Sequence, residues 1–308
     1  MTKSISNGVW PVMITPYTED NRIDYDGVLE LLKWYAHHKV SGIFAVCQSS
    51  EMFYLSREER YNLASFIISN RPKGLGIIVS GHVAQTIEEQ IDEAQSIIDA
   101  GADSYVFITN QFAKKSESDD VAKKSIEKLI SNIDADSFGL YECPYPYKRL
   151  MSPELLSWCA KTGRFAFLKD TCCSLNGLKS KLRAVEGTPL KIFNANAATL
   201  LESLKLGVSG YSGVMANFHA DLYSWLCTHY EKDPKKAQVV QNLLGFASVI
   251  ECQFYPVNAK YHLGLEGLNI NLFSRVQDFS QFSTNRQMEV EQMKNIVDLM
   301  RLQIGIWN

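Results

Sequence analysis

Up to residue 230 the sequence alternates short, apolar, β-rich runs with amphipathic stretches of helical period, about eight times over. Alternation of this kind with short connections implies a parallel sheet covered by helices. Candidate strands span 9–15, 42–46, 76–80, 104–108, 137–141, 165–169, 191–194 and 210–213. Candidate helices between them include 24–36, 57–69, 87–100 and 119–132. Ser56 with Glu59 and Thr86 with Glu89 each spell a capping box, in which side chains satisfy orphan N–H groups at a helix start. Gly101 stands just past the third helix, where a terminating glycine is expected. A closed barrel and an open doubly wound sheet both fit the alternation, but no G-x-G-x-x-G follows the first strand. Eight units favour a (β/α)8 TIM barrel, occupying 1–230. From 231 to 308 the pattern is helical only, over 234–250, 256–268 and 287–303, which predicts a C-terminal helical extension packed on the barrel.

Charge and composition narrow the function classes. Lys and Arg number 31 against 34 Asp and Glu, a net charge of −3. Nucleic acid and anionic membranes select strongly basic surfaces, so neither is expected as a partner. No run of about 18 apolar residues occurs, so no membrane span is expected. Residues 1–7 are polar and lack the apolar core of a secretory signal. The seven cysteines form no C-x-x-C pair and no histidine cluster has zinc-like spacing, so no metal is expected. A chain of 308 residues with 46% hydrophobic content buries a large core without disulfide staples. Reduced thiols in a cytoplasm are the simplest reading.

In a barrel, reactive side chains stand at the C-terminal ends of the strands. The sixth strand, Phe165-Ala166-Phe167-Leu168, runs into Lys169, and the fifth, Phe138-Gly139-Leu140, runs into Tyr141. The second runs into Cys47-Gln48-Ser49-Ser50-Glu51. Burial in a dry cavity disfavours a charged lysine, and the free amine is a nucleophile for ketones. The protonated imine is then an electron sink for C–C or C–O cleavage, while a neighbouring tyrosine moves the protons. Spacing alone favours a plainer reading, a solvated strand-end lysine beside a core aromatic.

Five motifs in one order reverse that balance. Gly8-Val9-Trp10-Pro11-Val12-Met13-Ile14-Thr15-Pro16-Tyr17 resembles the opening strand, G-x-x-P-A-x-x-T-P-F, of the dihydrodipicolinate synthase and N-acetylneuraminate lyase family. Tyr141-Glu142-Cys143-Pro144 is similar to its Y-N-x-P, and Leu168-Lys169-Asp170-Thr171 to its K-D-T/S segment. Gly210-Tyr211-Ser212-Gly213 through Asn217 resembles G-x-x-S/G…N on the eighth strand. Phe254-Tyr255-Pro256-Val257-Asn258-Ala259-Lys260 is similar to the N-P-x-P-x-K of the C-terminal helices. The resemblance runs colinearly over nearly the whole chain. It implies that Lys169 forms an imine, that Tyr141 is the catalytic tyrosine, and that the 47–51 loop binds a 2-oxo acid carboxylate. It also implies no cofactor, and a homotetramer built as a dimer of dimers.

Departures from the family pattern limit what carries over. The loop after strand two reads G-T/S-T-G-E in the family and Cys47-Gln48-Ser49-Ser50-Glu51 here. Ser49 still offers a hydroxyl and a backbone N–H. Gln48 stands at the family's relay hydroxyl, and an amide does not pass protons as a hydroxyl does. Ser50 replaces a glycine, so different loop dihedrals are expected. Thr109-Asn110-Gln111-Phe112 replaces T-P-Y/F-Y, so Phe112, expected at a subunit contact, lacks a second relay hydroxyl. Pro146 stands where the synthase has its entrance arginine. Ala195-Asn196-Ala197-Ala198 replaces the lyase's G-Y-D-E, leaving Asn196 as the one polar side chain. Glu142 replaces the asparagine beside the tyrosine, and two roles stay open for it: substrate contact, or a barrel carboxylate paired with a cation. His82 and the Cys172, Cys173 pair read as structural, and Lys148 with Arg149 as a solvated loop pair. Phe53, Tyr54, Tyr145 and Tyr147 line either the cavity or a subunit contact.

The expectation is a metal-independent lyase acting on pyruvate or a longer 2-oxo acid. Lys169 forms the imine and Tyr141 transfers protons. Ser49, with Gln48, Ser50 and the backbone near Ser212, holds the carboxylate. Neither true dihydrodipicolinate synthase nor sialic acid lyase activity is expected. A second class stays open on the same scaffold, a 2-oxo acid binding or regulatory protein with weakened catalysis.

Overall fold

The structure is a computed structural model that describes residues 4–306. Residues 1–3 and 307–308, at the outer ends of the expected barrel and helical extension, lie outside the described residues. Eight strands run parallel: β1 Gly8–Val9, β2 Gly42–Ala45, β3 Gly76–Val79, β4 Ser104–Ile108, β5 Phe138–Tyr141, β6 Phe165–Asp170, β7 Lys191–Asn194 and β8 Gly210–Tyr211. Their order in the sheet is β1-β8-β7-β6-β5-β4-β3-β2. Backbone bonds from Phe44 N–H to Pro11 O (2.9 Å) and from Met13 N–H to Phe44 O (3.0 Å) join the two ends. The result is the expected (β/α)8 barrel.

One helix follows each strand: α1 Tyr25–His37, α2 Arg57–Ser69, α3 Ile87–Asp99, α4 Asp119–Asn132, α5 Pro153–Lys161, α6 Leu175–Ala184, α7 Leu200–Lys205 and α8 Ala220–His229. Both capping boxes form, at Ser56 with Glu59 and at Thr86 with Glu89. After α8 come α9 Pro234–Ala247, α10 Val257–Leu265 and α11 Thr284–Ile304, the C-terminal helical part. Helix α9 stops short of residue 250 and passes into a single 3-10 turn, Ser248–Cys252. The first strand is also shorter than the expected 9–15. Pro11 has no N–H to give to a ladder. The bonds to β8 end with Trp10 N–H on Tyr211 O (2.8 Å), and those to β2 begin at the Pro11 carbonyl.

Trp10 fills the floor of the barrel. Its ring lies edge-on to Phe167 (6.0 Å) and Phe193 (6.2 Å), which stack on each other at 4.7 Å. Gly42 and Gly76 make room for it, since a Cβ at either would approach the indole to 2.2 and 2.4 Å. Burying an aromatic side chain of this kind contributes about 1.5–3 kcal/mol.

His82 is buried in the wall, where its Nδ1 accepts the Ile108 N–H (3.0 Å) and its Nε2 meets Gln90 Oε1 (2.9 Å). That arrangement requires a neutral ring, consistent with the structural reading of this histidine. Burial pushes the pKa of His82 to about 4, of His219 to about 3 and of His262 to about 4. Between these values and an unfolded pKa of about 6.5, the unfolded chain binds protons that the folded chain refuses. Stability is therefore full above about pH 6.5 and falls as pH drops toward the folded values. Thermal melts between about pH 7.5 and about pH 5 are expected to show a falling Tm, with each ring costing roughly 1.4 kcal/mol per pH unit below its unfolded pKa. A constant Tm over that range would mean that the rings titrate normally in the fold.

Candidate active site

The parallel register of β5 and β6 sets Tyr141 directly beside Lys169. Side chains alternate across a strand, so the two residues that follow, Glu142 and Asp170, point to the other side. There both carboxylates meet Lys181 of α6, with Lys181 Nζ 2.5 Å from Asp170 and in direct contact with Glu142. Glu142 also accepts the N–H groups of Met151 (2.8 Å) and Thr171 (3.0 Å). Of the two roles open to Glu142, the geometry is that of the paired barrel carboxylate, turned away from the cavity.

Lys169 and Tyr141 face the mouth, in a cavity of about 370 Å³. Lys169 is only 4% exposed, and its Nζ lies over the Tyr141 ring, 4.4 Å from the centroid. Burial pushes the lysine's pKa down, against smaller opposing effects from Cys47, Cys143 and Glu251. A larger share of the amine is therefore unprotonated than for a lysine in water. Tyr141 is equally desolvated, which raises its pKa well above the ordinary value. It keeps its proton and donates to Gln48 Oε1 at 3.1 Å.

Gln48 and Ser49 reach the cavity because β2 ends in a sharp reversal. Val46 (φ +49°) and Glu51 (φ +61°) adopt left-handed conformations on either side of the turn Gln48–Ser50. Such conformations are costly for residues other than glycine. The loss of glycine at 50 is thus accommodated, with the left-handed step carried by Glu51. Ser50 itself is a brace: its Oγ donates to Met13 O (2.6 Å) and accepts the Cys47 N–H (3.0 Å). Ser212 donates its Oγ to Trp10 O at 2.8 Å. Neither Ser50 nor Ser212 lines the cavity, in contrast to the expected carboxylate contact; Ser49, Gly213 and Val214 do. Asn196 lines it while capping the turn that leads into α7, accepting Thr199 N–H at 3.2 Å. Phe112 does not line it, but is 2% exposed and packs within the chain against Phe107 and His82.

Among the aromatic candidates, Phe53, Tyr54 and Tyr145 line the cavity. The Tyr147 hydroxyl is instead bonded to the carbonyls of Asn110 and Ala113 (2.7 Å each). Arg149 departs from the solvated reading: its side chain is 10% exposed, pairs with Asp119 at 2.8 Å and donates to the carbonyls of Lys114 (3.0 Å) and Glu117 (3.1 Å). Lys148 stays exposed, as that reading expects. It lines the cavity, with Nζ on Thr171 O at 2.9 Å.

The C-terminal helical part supplies a wall that the strand-end rule did not reveal. Glu251, Tyr255, Pro256 and Val276 all line the cavity. Tyr255 is held by Ser49 and by Asn217 Nδ2, the latter at 3.1 Å. The Phe254–Lys260 motif signalled this segment, but Glu251 lies before it and carried no signal. A strap is pinned across the mouth by Glu51, whose Oε2 accepts Arg275 N–H (2.6 Å), Val276 N–H (3.1 Å) and Ser274 Oγ–H (3.1 Å). Arg275 also grips Glu59 with two bonds (2.7 and 2.9 Å) and caps the Tyr17 ring at 4.7 Å. A second cleft, of about 460 Å³, lies between α2 and α3 and does not include Lys169. Among the described residues no group of three or more His, Cys, Asp or Glu is placed to hold a metal ion.

A model of the Dihydrodipicolinate synthetase family matches residues 5–297. The chain belongs to that family. A 4-hydroxy-tetrahydrodipicolinate synthase of Methanococcoides burtonii is 23% identical over 266 residues, covering 85% of this chain and 89% of its own length. A prophage protein of the dihydrodipicolinic acid synthase family from E. coli K12, solved in complex with pyruvate, superposes with a TM-score of 0.85 at 21% identity. The superposition covers 96% of this chain and 99% of that one. The sialic acid aldolase of Ruminococcus gnavus gives a TM-score of 0.85 at 16% identity, covering 96% and 98%. No helix among the described residues is long and apolar enough to cross a membrane.

The buried ion pairs behind the site make a prediction. Burial opposes the charge on Lys181, yet the two carboxylates hold its pKa above the ordinary value. Lys181→Met removes the cation and leaves Glu142 and Asp170 facing each other without one. Unfolding by denaturant is expected to show a loss of about 3–5 kcal/mol. A change below about 1 kcal/mol would mean that the carboxylates find other compensation.

Proposed function

We propose that this family member is a Schiff-base-forming lyase that acts on pyruvate or a longer 2-oxo acid. The observation that carries the reading is a desolvated Lys169 lying on the ring of Tyr141 at the barrel mouth. In this reading the unprotonated Nζ attacks C2 of the 2-oxo acid, water leaves, and the resulting iminium withdraws electrons from the neighbouring bond. Tyr141 handles the protons of the C2 oxygen as it departs. The hydroxyl of Ser49, the amide of Gln48 and the backbone at Gly213 surround the substrate carboxylate, and Lys148 draws the anion toward the mouth. Asn196 serves the distal part of the substrate, where a lack of carboxylates suits a shorter or less hydroxylated chain than a sialic acid. Residues 231–308 act as the layer that completes the mouth of a barrel built from 1–230. No cofactor enters this chemistry.

A homotetramer is part of the same proposal. Ile296 (48% exposed), Leu299 (65%) and Leu302 (60%) on α11 are apolar and uncovered, as are Phe246 and Val249 near the end of α9. Apolar patches of this kind mark contact surfaces. Sedimentation is expected to give about four times the 34.8 kDa chain mass, and a 34.8 kDa species at micromolar concentration would refute the assembly. All seven cysteines are free, which suits a reducing cytoplasm.

One observation favours a second reading, a binding or regulatory protein with weakened catalysis. The Tyr141 hydroxyl donates to an amide, which does not carry the proton further. Borohydride reduction in the presence of pyruvate separates the readings when combined with turnover of a 2-oxo acid panel. The lyase reading expects an irreversible adduct on Lys169, turnover of at least one panel member, and loss of both in Lys169→Ala. An adduct without any turnover would favour the binder, and absence of an adduct with every 2-oxo acid of the panel would overturn the lyase reading.

A further inference from the structure

If an imine forms on Lys169, converting it to the reactive enamine requires a base for the C3 proton. The cavity's obvious candidates are occupied. Tyr141 keeps its proton and donates it in a hydrogen bond to Gln48 Oε1. Tyr255 is held between Ser49 and Asn217. Glu51 is consumed by three donors of the 274–276 strap and faces Lys260 at 3.5 Å. The Cys173 thiol is directed at the Thr171 carbonyl.

Glu251 differs from all of them. It sits on the turn Ser248–Cys252 between α9 and α10, lines the same cavity as Lys169, and stays partly open to solvent. Its carboxylate accepts no hydrogen bond from any described residue, yet it lies within electrostatic reach of the lysine Nζ. Desolvation raises its pKa above the ordinary carboxylate value, with Lys169 opposing, which makes it a better base than a surface glutamate. A carboxylate in the cavity of the reacting lysine, with no hydrogen-bond donor of its own and partly open to water, is what a proton carrier requires.

We propose that Glu251 is the general base that removes the C3 proton from the Lys169 imine of a 2-oxo acid, and the acid that returns it. The assignment rests on the imine reading given above. In the step, the Glu251 carboxylate takes the proton and the C3–H electron pair becomes the C2=C3 bond. The C2=N pair moves onto nitrogen, so a cationic iminium and a carboxylate become a neutral enamine and a carboxylic acid. The reverse step restores the iminium, and no further reactant is needed. Placing the base on the C-terminal part also explains how a site with an amide at Gln48 and no hydroxyl at Phe112 moves protons.

Exchange of the pyruvate methyl protons in D2O, followed by proton NMR, reads this step without knowledge of the natural substrate. The wild type is expected to exchange them and to be trapped on Lys169 by borohydride. Glu251→Gln is expected to be trapped to the same extent at equilibrium while exchange falls by about 100-fold or more, and Glu251→Asp to keep part of the exchange. Exchange by Glu251→Gln at the wild-type rate would overturn the assignment, as would loss of trapping and exchange together in a variant with a normal melt. If Glu251→Gln does not fold, Glu251→Asp decides: full trapping with slowed exchange supports the base, and unchanged exchange overturns it. A wild type that is not trapped by any 2-oxo acid would instead sink the imine reading beneath it.

Discussion

A lysine placed between two carboxylates behind the barrel wall governs the geometry in front of it. Lys181 joins Glu142 at the end of β5 to Asp170 at the end of β6, with all three groups removed from water. Such a triad contributes little net stability compared with well-packed apolar residues, because desolvation offsets most of the attraction. Its consequence is positional. Any slip of β5 against β6 would break an ion pair in a medium where unpaired charge is costly, so the two strand ends are held in one register. Tyr141 and Lys169, one residue earlier on each strand, inherit that register on the opposite face.

The front of the wall uses the same low dielectric differently. Behind it two carboxylates flank one ammonium; in front of it Lys169 faces an aromatic ring, two thiols and one carboxylate at a distance. The two carboxylates sustain the ammonium of Lys181 against burial, whereas burial outweighs the weaker partners of Lys169. Two lysines from neighbouring elements are thereby driven toward opposite protonation behaviour by their partners alone.

Much of this was legible in the sequence, and the parts that were not have physical reasons. Apolar strand runs alternating with helical periods exposed the barrel, because the strands are buried on both faces and the helices on one, and the strand-end rule pointed to Lys169, Tyr141 and Gln48. The roles of Ser50, Ser212 and Glu142 were not legible. Each depends on a partner far along the chain: Met13 for Ser50, Trp10 for Ser212 and Lys181, 39 residues on, for Glu142. A short polar side chain near a site serves the backbone as readily as a ligand, and only geometry tells which. Glu251 was invisible for another cause. It lies on an irregular turn after α9, where neither a period of 2 nor one of 3.6 marks the direction of a side chain. Arg149 was read as solvated because a loop cation usually is, and its burial depends on Lys114 O, Glu117 O and Asp119, 30–35 residues back along the chain.

The strap pinned by Glu51 and Arg275 has a consequence for how the protein is made. Synthesis proceeds from the N-terminus, and β6 with its lysine leaves the ribosome more than a hundred residues before Arg275 does. A nascent chain that has built all eight strands still has an unroofed mouth, with Glu51 lacking the N–H donors it is oriented to receive. The emergence of 274–276 supplies them and fixes the last wall of the cavity in one event. Completion of the pocket thus waits on residues 274–276, and truncation after α10 would leave Lys169 in a wetter, more ordinary environment than a chain that includes them.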